Sequence, residues 1–424
     1  MLQISNIREN KELVIQRLAI KNINATEVLD QVIALDTERR KIQTQIESLQ
    51  AESNQIAKQV GDLFKAGKKE EADGLKARSA ELKNEIKQLE DEVGAVEAKQ
   101  TQLIIGLPNT PHLSVPKGNK PEDNLEVLRH GDFPTLPTDA KPHWELAQQY
   151  DIIDFELGVK ITGAGFPVYK GYGARMQRAL LNFFLDEATK AGYLEIQPPT
   201  MVNAASGFGT GQLPDKEGQM YHVQIDDLYL IPTAEVPITN LYRDVVLKLD
   251  QLPIKNCGYT NCFRREAGSY GKDVRGLNRL HQFDKVEIVQ VVHPDHSYEV
   301  LEEMRNYVAG LLQKLELPFR VLKLCGGDMS FSSALTYDLE VYSAAQQKWL
   351  EVSSVSNFEA FQSNRLKLRF KDADGKNQLA HTLNGSALAF PRILASLLEN
   401  NQTPEGIKIP KALVPYTGFD MIPC

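Results

Sequence analysis

CFRREAGSYGKDVRGLNRLHQFDKVEI, from Cys262 to Ile288, reads as two strands joined by a long glycine-bearing loop. Gly268, Gly271 and Gly276 permit the backbone angles such a loop requires. Charged residues stand where a buried strand should be apolar. Arg264 and Arg265 fall on opposite faces of the first strand, so one of them points into whatever the sheet covers. A guanidinium there needs a carboxylate or phosphate partner. Glu266 shares the face of Arg264, which leaves an internal ion pair and an anion site equally open. Glu287, between Val286 and Ile288, is either paired with a buried arginine or set to bind an ammonium. Asp284 and Lys285 beside it allow a simple surface reading.

The flanking sequence continues in the same style. DLYLIPTAEVPITN, KVEIVQVVH, FRVLKLC and LTYDLEVYS alternate or run apolar at strand length. YLEIQPPTMV reads as a strand broken by Pro198 and Pro199. ARMQRALLNFFLDEATKAG, SYEVLEEMRNYVAGLLQKLEL and RILASLLENN read as helices. Strands in hairpin order with helices between them predict an α+β domain around a mostly antiparallel sheet.

Upstream the composition changes. Residues 1–107 are nearly free of proline and rich in Glu, Lys, Gln and Leu, whereas PNTPH, PKGNKPED and FPTLPTD follow from residue 108. Leu35, Ile42, Leu49, Ile56 and Leu63 recur every seven residues. Ile46 and Val60 lie on a second seam that Arg39 and Ser53 complete. The pattern breaks at KAGKKEEADG and resumes at Leu75, Leu82, Leu89, Val96 and Leu103, with Ile86 and Val93 opposite. Two long helices joined by a short polar tip predict an antiparallel hairpin over about residues 28–104. Its first helix would reach roughly 57 Å at 1.5 Å per residue. From periodicity alone, a spacer or dimerisation coiled coil is favoured over a ligand-binding arm. The domains expected are therefore 1–107 and 108–424.

Composition narrows the class. The 424 residues carry 42% hydrophobic and 25% charged side chains and a net charge of −8, so any nucleic-acid surface must be local. The four cysteines form no paired CxxC motif, so no zinc site is expected. No signal-peptide or membrane-length apolar run is present, which predicts a cytoplasmic protein. GxxxxGK[ST], GxGxxG after a strand, GxSxG and HExxH are all missing, so a nucleotide site must be built differently.

Three further stretches offer chemistry. TAEVP places Thr233 and Glu235 two apart on one strand face, suited to a substrate amine, with a cross-strand lysine pair as the plainer reading. LEVSSVSNF puts Glu351 and Ser353 on one face with Ser354 next, oxygens suited to Mg²⁺ beside phosphates. In HTLNGSALAFPRILASLLENN, Pro391 fits the first helical position. Arg392 then stands in the first turn, where the helix dipole disfavours a cation. A phosphate or an acidic side chain would offset that cost. Asn384 and Ser386 precede it as turn residues.

Taken in order, FRRE with RLHQFDKVE resembles motif 2 of the class II aminoacyl-tRNA synthetases, GSALAFPR resembles their motif 3, and GYLEIQPPTMV resembles motif 1. TGQLP, LIPTAEVP, HQFDKVE, TYDLEV and HTLNGSALA narrow the resemblance to the bacterial-type seryl-tRNA synthetases, across essentially the whole chain. Pro391 departs from the glycine common in that motif 3, and SSVSNF from the usual SSCSNC.

The resemblance implies serine–tRNA ligation by a homodimer, with ATP and Mg²⁺, no membrane association, and tRNA(Ser) held by the helical arm. It also leaves tRNA(Sec) as a second candidate substrate. An amino-acid activator that loads a carrier protein is the alternative. ATP binding falls to Arg264, Arg265, Glu266, Arg279, Leu280, Glu351, Val352, Ser353, Ser354 and Arg392, with Arg264 and Arg392 catalytic. Glu351 and Ser354 would hold Mg²⁺. Serine binding falls to Thr233, Ala234, Glu235, Arg264, Glu287, Asn384 and Ser386.

Overall fold

A computed structural model describes residues 1–267 and 274–424. The chain forms two compact units. Leu2–Ala19 and Ile23–Pro108 make one, while Met1, Ile20–Asn22 and Asn109–Cys424 make the other.

The first unit is dominated by two helices, α1 (Thr26–Lys65) and α2 (Lys69–Ile105). The expected ten-residue break between them shrinks to Ala66–Lys68, because KEEADG continues the helix with acids in its first turn. Their seam is apolar at Ile42, Ile46 and Val96, with Leu35, Ile86, Leu89 and Val93 packed beside them. One buried position of α1 is acidic. Asp36 is held by Arg8 at 2.7 Å and Arg39 at 3.1 Å, which satisfies a charge that burial would otherwise penalise.

The second unit is built on eight strands: β1 (Leu125–His130), β2 (Leu194–Glu195), β3 (Ile254–Phe263), β4 (Gln282–Val292), β5 (Phe319–Lys323), β6 (Leu335–Ser343), β7 (Lys348–Asn357) and β8 (His381–Ala389). They lie in the order β1-β5-β6-β7-β8-β4-β3-β2. Every neighbouring pair is antiparallel except β2 with β3. The helices that position the site are α3 (His143–Gln149), α4 (Gly171–Lys190), α5 (Glu235–Asn240), α6 (Ser297–Lys314) and α7 (Phe390–Asn400). Apolar residues of α4, α6 and α7, among them Phe184, Met304 and Leu394, join Ile288, Val355 and Leu383 of the sheet in one core. Burial at about 25 cal/mol per Å² makes this core the main source of the unit's stability.

The strand expected through TAEVP is not there. The extended run stops at Leu230, and Glu235 opens α5. Pro237 has no N–H for a sheet ladder, and the Thr233 hydroxyl accepts the Glu235 backbone N–H at 3.3 Å, turning the chain into the helix.

Candidate active site

The opening stretch folds as the β3–β4 hairpin, paired from Val291 opposite Ile254 to Gln282 opposite Phe263. Strand β3 ends at Phe263, so Arg264, Arg265 and Glu266 leave the sheet instead of alternating across it. Both arginines are exposed, which corrects the expectation that one is buried. The Arg264 guanidinium lies over the Phe283 ring at 5.2 Å, and its Nε donates to the Pro232 carbonyl at 3.4 Å. Glu266 adopts a left-handed φ of 49° and pairs with Arg279 at 2.8 Å, not with Arg264. Gly276 has the positive φ, +64°, that its loop position needs. Gly268 and Gly271 lie outside the described residues.

Above the hairpin is a cavity of about 190 Å³. Arg264, Glu266, Arg279, Glu351 and Arg392 line it together with a residue that the sequence left on the surface, Lys285. Leu280, Val352, Ser353, Ser354 and Ser386 complete the polar and apolar wall. Residues more than a hundred positions apart thus share one space. Arg265 is not among the lining residues; its guanidinium lies beside Gly218. In the first turn of α7, Arg392 donates to the carbonyls of Glu351 at 2.6 Å and Asn278 at 3.1 Å. The Glu351 carboxylate is 3.6 Å away, so an acidic side chain does offset the cation's unfavourable place on the helix dipole. That carboxylate is exposed, and the guanidinium still opens onto the cavity.

A bulge in β7 alters the expected facing of EVSS. Leu339 pairs with Ser353 but Glu340 pairs with Glu351, which leaves Val352 as the extra residue. Glu351 is exposed while Ser353 is buried, so the two do not share a face as strict alternation would have it. Ser353 donates instead to the Ser386 carbonyl at 2.6 Å. Ser354 stands across from Asp338, whose carboxyl is held well above the usual carboxylate range by burial first and by the Glu351 charge second. One oxygen of Asp338 is buried without a hydrogen-bond partner. Glu351 and Ser354 offer oxygens of the kind Mg²⁺ takes, though among the described residues no cluster of three or more His, Cys, Asp or Glu is arranged to hold a metal ion.

A second group of buried charges lies beneath Lys285. Its ammonium contacts Glu287 at 2.7 Å and the Thr233 hydroxyl at 3.0 Å, and Thr233 donates to Glu287 at 3.1 Å. Of the two partners expected for Glu287, a buried arginine or an ammonium, it is an ammonium that meets it, that of Lys285 two residues away on the same strand face. Glu235 is buried and accepts from Gln362 at 2.6 Å. Desolvation first, then the Glu287 charge, pushes its carboxyl up to about 7. Ala234 is fully buried against Ile238 and Val289 and offers apolar packing only. Ser386 pairs with Glu287 across the sheet, and Asn384 with Val289. Thr233, Glu235, Glu287 and Asn384 do not line the cavity; Lys285 is the link between it and the buried acids.

Several participants went unread in the sequence. Period two puts Phe283, Lys285 and Glu287 on one face, so Lys285 could have been found from Glu287 alone. Asp284, also assigned to the surface, accepts from Tyr259 and Asn261 at 2.6 Å, and burial raises its carboxyl pKa. Asp338 needed the cross-strand register, and Gln362 carried no local signal.

Comparison with known proteins gives a consistent result. Residues 1–111 match the family described as the seryl-tRNA synthetase N-terminal domain, and residues 221–401 match the class II tRNA synthetase core domain (G, H, P, S and T). A serine–tRNA ligase of Salinibacter ruber is 50% identical over 424 residues, covering 100% of this chain and 99% of its own. That of Akkermansia muciniphila is 48% identical over the same length. A crystal structure of seryl-tRNA synthetase from Pyrococcus horikoshii complexed with ATP superposes with a TM-score of 0.91 at 35% identity, over 100% of this chain and 99% of that one.

Proposed function

Because the chain belongs to the seryl-tRNA synthetases of class II, we propose that it joins L-serine to tRNA(Ser) at this cavity, at the expense of ATP. The observation that carries the reading is the meeting of three arginines, Arg264, Arg279 and Arg392, with the carboxylate and hydroxyl oxygens of Glu351 and Ser354 in one space. The carrier-loading alternative is not favoured, since relatives over the full length are serine–tRNA ligases and the N-terminal domain matches theirs.

The serine carboxylate attacks the α-phosphorus of ATP. A carboxyl O–P bond forms, the bond to the β-phosphate oxygen breaks, and pyrophosphate leaves with its charge. No general base is needed, because the nucleophile is already ionised. Arg264 holds the α-phosphate and the serine carboxylate. Arg392 meets the γ-phosphate, and Glu266 accepts from the adenine amino group. Glu266 and Arg279 form an ion pair at 2.8 Å beside the position assigned to the nucleotide. Glu351 and Ser354 would hold Mg²⁺, which would supply charge neutralisation at the phosphate oxygens. Leu280 and Val352 supply apolar contact, and Ser353 fixes the β7–β8 geometry. Thr233, Glu235 and Glu287 bind the serine ammonium and hydroxyl, with Asn384 and Ser386 on the adjoining strand. A hydroxyl-binding site rejects alanine because its buried polar groups would then be unpaired. A ribose hydroxyl at the tRNA 3′ end then attacks the seryl carbonyl, and AMP leaves.

The helical hairpin binds the tRNA away from its acceptor end, by shape and backbone contacts. A homodimer is supported by the sheet edges. Every residue of β1 is exposed, with Leu125, Val127 and Leu128 outward, and an unpaired edge strand invites a partner. No helix among the described residues is long and apolar enough to cross a membrane. From the tRNA-charging role of its relatives, we place the activity in the cytoplasm. The deciding experiment is ATP–pyrophosphate exchange with serine, threonine and alanine, followed by charging of tRNA(Ser). Serine-dependent exchange with charging is expected. Exchange without charging would favour carrier loading, and no exchange would refute catalysis.

A further inference from the structure

Behind the cavity lies a buried hydrogen-bonded group that the reaction as described does not use. His143, at the start of α3, and Glu399, near the end of α7, are both fully buried. The Glu399 carboxylate accepts from the His143 backbone N–H at 2.8 Å, from its ring Nδ1 at 2.6 Å and from Gln346 at 2.7 Å; Ser343 donates to its other oxygen. Four donors satisfy a buried charge that would otherwise be costly. The other ring nitrogen, Nε2, accepts the backbone N–H of Leu277 at 2.8 Å. An acceptor there and a carboxylate at Nδ1 together define the neutral Nδ1–H tautomer.

Leu277 belongs to the return limb of the glycine-bearing loop, whose Leu277, Asn278, Arg279 and Leu280 line the cavity. The limb is fastened at two more points, one of them in the same group. Asn278 donates to Gln346 at 3.2 Å, and its carbonyl accepts from Arg392 at 3.1 Å. Gly276 packs so closely that a Cβ there would stand 2.2 Å from His143 Nε2.

We propose that His143, oriented by Glu399, is a positioning residue for serine activation: its Nε2 fixes the return limb that carries Arg279 to the nucleotide and shares Asn278 with Arg392. His143 touches no substrate. The inference rests on the ATP site proposed above. It predicts an effect on ATP and not on serine, because Lys285, Glu287 and Thr233 lie on other elements.

The test is exchange kinetics on the full chain, at a temperature where each variant is shown folded by circular dichroism. In His143→Ala the KM for ATP should rise roughly tenfold to a hundredfold while the KM for serine stays within twofold. His143→Gln, which returns an amide acceptor towards Leu277, should recover part of the loss. Gly276→Ala leaves the buried group chemically intact but forces the limb off His143, so it should reproduce the ATP defect even if His143→Ala does not fold. Wild-type ATP KM in folded His143→Ala or in Gly276→Ala would overturn the inference and leave the site reading standing. Equal rises for ATP and serine would overturn it too, since that marks general loosening. Absence of exchange in the wild type would overturn both readings.

Discussion

Arg264 and Glu235 show two opposite ways in which a charged side chain is prepared for a ligand. Arg264 is exposed, rests on an aromatic face and has no carboxylate partner within the described contacts. Its removal leaves no buried charge, so Arg264→Ala should keep its melting temperature within about a degree of wild type. Serine-dependent exchange should nevertheless fall by about a hundredfold or more, as for loss of a transition-state contact. Normal exchange in a folded variant would refute its role. Glu235 is instead buried, with its carboxyl pushed up to about 7. A raised carboxyl pKa means that the folded protein binds the proton more tightly than the unfolded chain. Without substrate, Glu235 therefore destabilises the fold as pH rises from the ordinary carboxylate range through 7. A serine ammonium favours the ionised form and reverses that preference. Serine affinity should weaken by up to about tenfold per pH unit below 7, with proton release on binding near neutrality. Titration calorimetry in two buffers of different ionisation enthalpy checks this. Unchanged serine affinity between pH 5.5 and 7.5 would count against an amine at Glu235.

At the scale of elements, the proposed function gives the helical hairpin and the β3–β4 hairpin different steps. The helices α1 and α2 belong to a unit of their own, with a seam built from Ile42, Ile46 and Val96. Replacing residues 29–103 by a short Gly/Ser linker should leave ATP–pyrophosphate exchange within about threefold of wild type. Charging of tRNA should drop by two orders of magnitude or more, because phosphate and shape contacts give most of the affinity for nucleic acid. Filter-bound charging assays separate the two steps, and parallel loss of both would argue against a role confined to tRNA. Near the tip, Lys68 pairs with Glu71, and Lys76 with Asp73. The lysines near the tip are thus partly neutralised by their own acids.

At the scale of the molecule, the large sheet has two edges and only one is short. The edge at β2 is two residues long, whereas β1 presents six exposed residues with a free hydrogen-bonding side. Sedimentation equilibrium should give twice the 47.5 kDa chain mass, and Leu128→Glu on β1 should shift the population towards monomer. A monomeric wild type at micromolar concentration would remove the dimer from the account.

The heptad seams, the strand periodicity and the glycine-bearing loop were legible in the sequence, because each depends on neighbours within a few residues of chain. The two helices and the antiparallel sheet followed from local spacing, whereas the set FRRE, EVSS and FPR was joined into one site by its resemblance to the class II synthetase motifs. Tertiary structure decided which charges meet. Glu266 chose Arg279, and the bulge at Val352 separated Glu351 from Ser353. His143 and Glu399 are 256 residues apart, and nothing in the sequence around either points to the other. Alternation assigns a side chain to a face, but a strand end, a bulge or a proline ends the alternation. The partner of a buried charge is then set by strand register and helix packing, which local spacing does not encode.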